Sequence, residues 1–341
     1  MKYDDKNLEY FNNTESFQSI TTKKQYNLID LNEMEICYLK QIIHDLEKSN
    51  DVILCCRGDS KKNHSKFISK DLYDFFVAGT KSKYHEEAPE SLYDHCEIND
   101  EFNLEALVEK CNSILEDIKE CNSDVEGRIN PEYVSEMKKQ SIGVQNDFRF
   151  LLLSFLHNKG MTYADEIDSD FKPYSCFVSL AYNKSKYDTA KKYALGNNKI
   201  KNKDGLIYIY IVQKNWKNYI TIEEMTSILN DCGVKWKKGL DEEIMIMNGL
   251  YPHFLVGFFE MKNEKCSRFI LNSWFHKQIK HDLENLDTSK YTKGMYVNQE
   301  DFEQSAQRLG YNTVFLRNNI LNGNEFILSN GETKKTIERL Q

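Results

Sequence analysis

The sequence predicts an α+β fold: a sheet-based core, a helical lobe inserted into it, and an α/β extension at the C-terminal end. Three observations carry this. Short, dense apolar runs at 52–56, 206–212, 243–247 and 254–261 have the length and β-branched or aromatic content of buried strands. Residues 97–160 read mainly as helix, with one long apolar stripe. After Pro173 the pattern returns to strands. A chain of 341 residues with 40% hydrophobic and 12% aromatic content can bury real cores, which excludes wholesale disorder.

Each element has its own signal. The first thirty residues are polar, weakly patterned and read as peripheral, within a mostly helical segment 1–50. Over 32–49, Met34, Cys37, Ile42, Ile43 and Leu46 recur at helical spacing. The run 52–56 (VILCC) is a buried strand that ends at Arg57-Gly58. A helix over 65–78 is stopped by Gly79. Over 102–121, Leu104, Leu107, Val108, Cys111, Ile114, Leu115 and Ile118 form one stripe. A further helix spans 146–157. Then follow a strand at 176–181, a helix at 187–194 and the strand LIYIYIV at 206–212. Thr221 and Glu224 form a capping-box pattern that opens a helix closed by Gly233. Strands at 243–247 and 254–261 follow. The extension 263–341 holds a helix at 300–309 and strands at 313–317 and 325–329, with Asn322-Gly323 as the turn between the two strands.

Charge and cysteine content narrow the function classes. Asp plus Glu is 53 against 45 for Lys plus Arg, a net charge of −8. That balance disfavours general gripping of nucleic acid. No apolar run approaches the roughly 20 residues of a membrane-spanning helix. The nine cysteines include no C-x-x-C pair, and no histidine pair has ligand spacing, so no metal site is expected. Asp165, Glu166, Asp168 and Asp170 lack the glycine and spacing of a calcium loop. The odd number of cysteines and the polar N-terminus fit a reducing, cytoplasmic compartment, or delivery into a target cell's cytosol without an N-terminal apolar signal.

Three constellations can carry chemistry. Arg57, where a buried strand emerges, offers a planar five-donor head to a phosphate or carboxylate, and Gly58 allows close approach to the backbone. Phe177-x-Ser179 lies on a strand followed by a helix with Ala190 and Tyr193-Ala194, small residues that allow tight packing on the sheet. Asp241-Glu242-Glu243 enters an apolar strand, and crowding of acids can raise one carboxyl pKa. For each, an ordinary structural role is the competing reading: a surface arginine before a turn, a strand serine, a solvated strand entry.

Taken in order, these segments resemble the ADP-ribosyltransferase superfamily, in its Arg–Ser–Glu branch. CCRGDS matches the family's strand-end arginine motif. FVSLAYNKSKYDTAKKYA matches its serine strand and following alanine-bearing helix, with Ser179 in the first serine position. LIYIYIV resembles the next strand, DEEIMIM the Glu-x-Glu or Gln-x-Glu strand entry, and NGLYPHFLVGFF the hairpin after it. The resemblance covers about 52–262 with gaps. It departs from the family at Asp241, where Glu or Gln is usual, and at Ala181, where a second serine is usual.

The resemblance implies a split mixed β-sheet (β-sandwich) catalytic core at 51–262, with the lobe at 97–160 inserted. It implies NAD as co-substrate, no metal, and transfer of ADP-ribose to a macromolecular acceptor, in the manner of a toxin or translocated effector. Glu243 becomes the catalytic carboxylate, with Glu242 as its rival on the opposite strand face. Ser179 orders the cleft, and Asp241 steers or deprotonates the acceptor. Arg57, with Gly58, holds the diphosphate or adenylate side of NAD, and Tyr182 is the aromatic nearest in sequence for the nicotinamide. Two alternatives stay open: an NAD glycohydrolase with water as acceptor, and a non-catalytic binding module of the same fold.

Overall fold

The computed structural model describes residues 8–20, 28–50, 52–60, 104–121, 125–141, 144–145, 147–149, 151–152, 154–156, 177–196, 203–214, 219–236, 242–247 and 255–285. The chain is mixed α/β and forms two compact units, each built from separated stretches. The first takes Met1–Thr80, Leu180–Trp216 and Leu250–Arg317. The second takes Lys81–Ser179, Lys217–Gly249 and Asn318–Gln341. The expected division into 1–50, 51–262 and 263–341 differs from this, because both ends of the described chain build the first unit's sheet.

The first unit is a mixed sheet. Its order is β2 (Leu28–Asp30), β1 (Ser16–Ile20), β11 (Lys265–Leu271), β10 (Leu255–Lys262), β6 (Gly205–Gln213) and β3 (Val52–Ser60). Strand β1 runs parallel to β11, and the other pairs are antiparallel. Beyond β3, Ala181 at the end of β5 (Phe177–Ala181) is in register with Cys56. For residues 8–20 the peripheral reading is thus corrected. Leu8, Phe11, Phe17 and Ile20 are buried. Phe11 meets Phe259 and Phe269 with ring centroids 4.8 and 5.1 Å apart. A five-residue strand paired with a partner some 250 positions away carries no local periodicity by which to recognise it.

Helices complete this unit: α1 (Glu9–Asn12), α2 (Glu33–Glu47), α5 (Lys186–Ala194) and α7 (Ser273–Asn285). Helix α2 starts with a capping box. The Asn32 side chain accepts the Glu35 N–H, and the Glu35 carboxylate accepts the Asn32 N–H. A buried ion pair, Lys186 Nζ to Glu47 Oε2 at 2.8 Å, ties the end of α2 to the start of α5. Helix α5 packs against β3 and β6. The seven residues of LIYIYIV are all buried, so β6 is covered on both faces. A polar row crosses four strands. The Arg268 guanidinium donates to both Glu260 carboxylate oxygens and to Gln18 Oε1, and Gln18 Nε2 donates to Asp30 Oδ1.

The second unit holds α3 (Leu104–Cys121), β4 (Val125–Gly127), α4 (Pro131–Met137), helical residues within 144–156, β7 (Tyr219–Thr221), α6 (Ile222–Asp231), β8 (Val234–Trp236) and β9 (Glu243–Met247). All seven residues of the predicted α3 stripe are buried in one cluster with Phe148, Phe155, Met225, Leu229 and Met245. Strand β4 pairs with β8, and β7 with β9, both antiparallel. Helix α6 opens on the Thr221–Glu224 capping box, as its sequence predicts. It ends at Gly233, whose φ of 101° suits the residue that closes a helix. The predicted helix at 65–78, the acidic loop at 165–170 and the elements at 300–309, 313–317 and 325–329 lie outside the described residues.

Candidate active site

Arg57 sits within a strand rather than at its end. Strand β3 continues through Gly58 to Ser60, and β6 pairs with it throughout: Arg57 with Tyr208, Gly58 with Ile207, Ser60 with Gly205. Alternation puts Cys55, Arg57 and Asp59 on one face and Cys56 and Gly58 on the other. Arg57 is half-buried. On its face, Tyr208 and Tyr210 stack with ring centroids 6.2 Å apart. Burial pushes the Tyr210 hydroxyl pKa well up. The Arg57 charge pulls it back and the Asp59 carboxylate reinforces the rise. The guanidinium therefore stands among an aromatic pair and a carboxylate two residues along its own strand.

The close approach at Gly58 is made by helix backbone. A Cβ there would lie 1.7 Å from the Ala190 carbonyl oxygen and 2.6 Å from the Ala194 nitrogen. Glycine at this position lets α5 sit directly on β3, and Ala190 and Ala194, both fully buried, are the matching small residues on the helix. A glycine at the strand end, offering its backbone to a ligand, was the expectation. The strand does not turn here, and the space beside its α-carbon is filled. Gly205 repeats the device, with a Cβ placed 2.3 Å from the Ala194 carbonyl oxygen.

Ser179 lies on β5 and is half-buried. It shares Ala181's face of that strand by alternation. The chain passes from the second unit to the first between Ser179 and Leu180. Tyr182, immediately after β5, is 7% exposed, so its ring is packed and offers no open aromatic face. Glu243 is the first residue of β9 and is half-buried, and Glu242 before it is exposed. Ile244, Met245 and Ile246 are all buried, so the strand is covered at its second to fourth residues. Ile244 pairs with Thr221, the N-cap of α6, which places Glu243 at the end of the β7–β9 pair where that helix begins. Asp241 lies outside the described residues. Arg57, Gly58 and Tyr182 belong to the first unit, and Ser179 and Glu243 to the second.

Cys55, Cys56 and Cys111 are free and buried, and burial pushes each thiol pKa far above its ordinary value. They are core residues, unsuited to nucleophilic work. Among the described residues, no group of three or more His, Cys, Asp or Glu is placed to hold a metal ion. Among the described residues, no helix is long and apolar enough to cross a membrane. The sequence reading missed Tyr208 and Tyr210 as neighbours of Arg57. Their two-residue spacing within LIYIYIV was the available signal, but it does not say which strand lies alongside. Comparison with family models, curated proteins and solved structures gives no match.

Proposed function

We propose that this chain is a mono-ADP-ribosyltransferase of the Arg–Ser–Glu type, which breaks the nicotinamide–ribose bond of NAD and passes ADP-ribose to a protein or other macromolecular acceptor. One observation carries the reading. The helix that follows the serine strand docks through Ala190 on Gly58, the residue next to Arg57, so the helix of the second resembling segment is packed on the strand of the first. Glu243 adds to this as a half-buried carboxylate opening a strand of its own.

The chemistry assigned to these residues is as follows. The C1′–N bond of NAD breaks, its electron pair leaves with nicotinamide, and the ribose passes through an oxocarbenium-like state. Glu243 supplies the negative charge that stabilises this state, as carboxylates do in glycoside hydrolysis. Arg57 pairs with the diphosphate. Ser179 helps to place Glu243. The acceptor nucleophile then bonds to C1′ and gives up its proton, with Asp241 as the base. The test is nicotinamide release and label transfer from adenylate-labelled NAD in a cell lysate, wild type against Glu243→Gln. Labelled macromolecules that vanish in the variant support the proposal. Free ADP-ribose with no labelled acceptor would reassign the chain to hydrolysis of the same bond. Loss in Glu242→Gln, with Glu243→Gln active, would move the catalytic carboxylate by one residue.

A further inference from the structure

One corner of the first unit is basic, in a chain whose net charge is −8. Lys191 and Lys192 occupy the last turn of α5, and the next residue, Tyr193, is 59% exposed. The helix ends against the start of β6, where Ala194 meets Gly205. Lys203, exposed just before that strand, accepts the Glu264 N–H on its carbonyl at 3.1 Å. Asp204 Oδ1 accepts the Asn263 N–H at 3.4 Å. These two bonds bring the β10–β11 turn to the same corner. Lys262 and Lys265, both exposed and in register, flank it. The Lys191 charge is also felt on β11: burial pushes the Cys266 thiol up to about 11, and Lys191 pulls against that rise.

The turn is tied at two points. Asn263 and Glu264 have φ of 49° and 65°, the two-residue left-handed geometry of a tight hairpin. Asn263 takes such a backbone readily; Glu264 takes it at a cost, and its N–H bond to the Lys203 carbonyl helps to hold it there. Two lysines at a helix C-terminus are explained by the helix dipole. Lys203, Lys262 and Lys265 are not. Among the described residues of these segments the acids are Asp204 and Glu264 against five lysines, an excess of positive charge.

We propose that this corner docks an acidic protein surface, with the lysines pairing to carboxylates and the exposed Tyr193 ring covering an apolar side chain among them. The chemistry favours a protein over a polyanion. The rest of an acidic molecule repels a long nucleic acid. The cations are all lysines, compact charges without the forked geometry that grips phosphate in pairs. Tyrosine is enriched at protein interfaces. The proposal stands apart from the transferase reading; under that reading, the corner is where the acceptor is held.

The test uses the full chain and a fluorescein-labelled peptide rich in Glu and Asp with one central Phe, read by anisotropy. An oligothymidylate of equal length and vesicles containing phosphatidylserine are the competing probes. The wild type binds the peptide more tightly than either, and added salt weakens binding. Lys192→Glu with Lys265→Glu lowers affinity by about tenfold or more, as expected for reversed charges at an interface. Tyr193→Ala weakens it further, and Lys139→Glu in the other unit does not. The gentler pair Lys192→Gln with Lys265→Gln gives an intermediate loss with unchanged circular dichroism. Peptide binding that is absent, or unmoved by these changes, overturns the proposal. Tighter binding of the oligonucleotide or the vesicles overturns it equally, in favour of a polyanion or a membrane surface.

Discussion

Gly58 shows how much a single missing side chain sets. Its α-carbon is where α5 meets β3, and the atoms a methyl group would strike are backbone atoms of the helix. Nothing there yields without moving the helix. Gly58→Ala is therefore expected to destabilise the fold by about 1–3 kcal/mol or more, in the manner of an overpacked core. Urea unfolding would show it as a lower midpoint at constant slope. An unchanged midpoint would mean that the helix is not seated as described. The arginine–glycine pair was legible in the sequence as a special position, and so were the small residues of α5. What local pattern hid was their mutual contact, because a glycine in a strand reads equally as a bulge, a turn or a packing slot.

A second residue-scale prediction concerns His276. Its Nε2 lies 3.0 Å from Glu35 Oε1, with both side chains 6% exposed. Burial lowers the His276 pKa, opposed by the Glu35 hydrogen bond and charge, with Lys280 adding to the lowering. The unfolded chain, with a histidine pKa of about 6.5, then takes up this proton at higher pH than the folded chain does. The resulting contribution to stability is fully present above about pH 6.5 and is lost as pH falls through the folded value. Unfolding midpoints measured between pH 7.5 and 5 should fall more steeply for the wild type than for His276→Gln. Parallel curves for the two proteins would contradict the assignment.

At the scale of elements, the sequence was a good guide for several long segments with one buried face, although the 13-residue helix α7 went unrecognised. The stripe of α3, the capping box of α6 and the runs of β6 and β9 appear where their patterns put them. Strand β3 ran past its expected end because Gly58 does not break it. Strands β1, β2 and β11 went unrecognised, being short or lacking clean alternation: in β11 only the last three residues are fully buried. The β10–β11 turn was missed for a different reason. Asn-Glu is a poor signal for a left-handed turn, and the Glu264 N–H bond to the Lys203 carbonyl helps to hold the geometry. Glu264→Gly should relieve that strain and stabilise the fold by about 1 kcal/mol, seen as a raised thermal midpoint. A lowered midpoint would show that the Glu264 side chain contributes more than its backbone costs.

At the scale of the molecule, each unit is assembled from stretches far apart in sequence. Contiguous domain boundaries could not express this, and local periodicity does not encode it. The N-terminal segment belongs to the first unit's core through Phe11, Phe17 and Ile20. Phe11→Ala is expected to cost about 3–5 kcal/mol, enough to threaten a fold of ordinary stability. A loss within a few tenths of a kcal/mol would return the segment to the periphery. The net charge of −8 also gains a finer meaning, since the acidic molecule carries a basic corner at the end of α5.

The central claim is that Glu243 lets this chain break the nicotinamide–ribose bond of NAD. Nicotinamide release from NAD in the presence of cell lysate, followed by chromatography, tests it most directly. The account predicts release by the wild type and a loss of about 100-fold or more in Glu243→Gln, the scale for removing one electrostatic stabiliser of a transition state, with the unfolding midpoint unchanged. NAD left intact by the folded wild-type protein would contradict it.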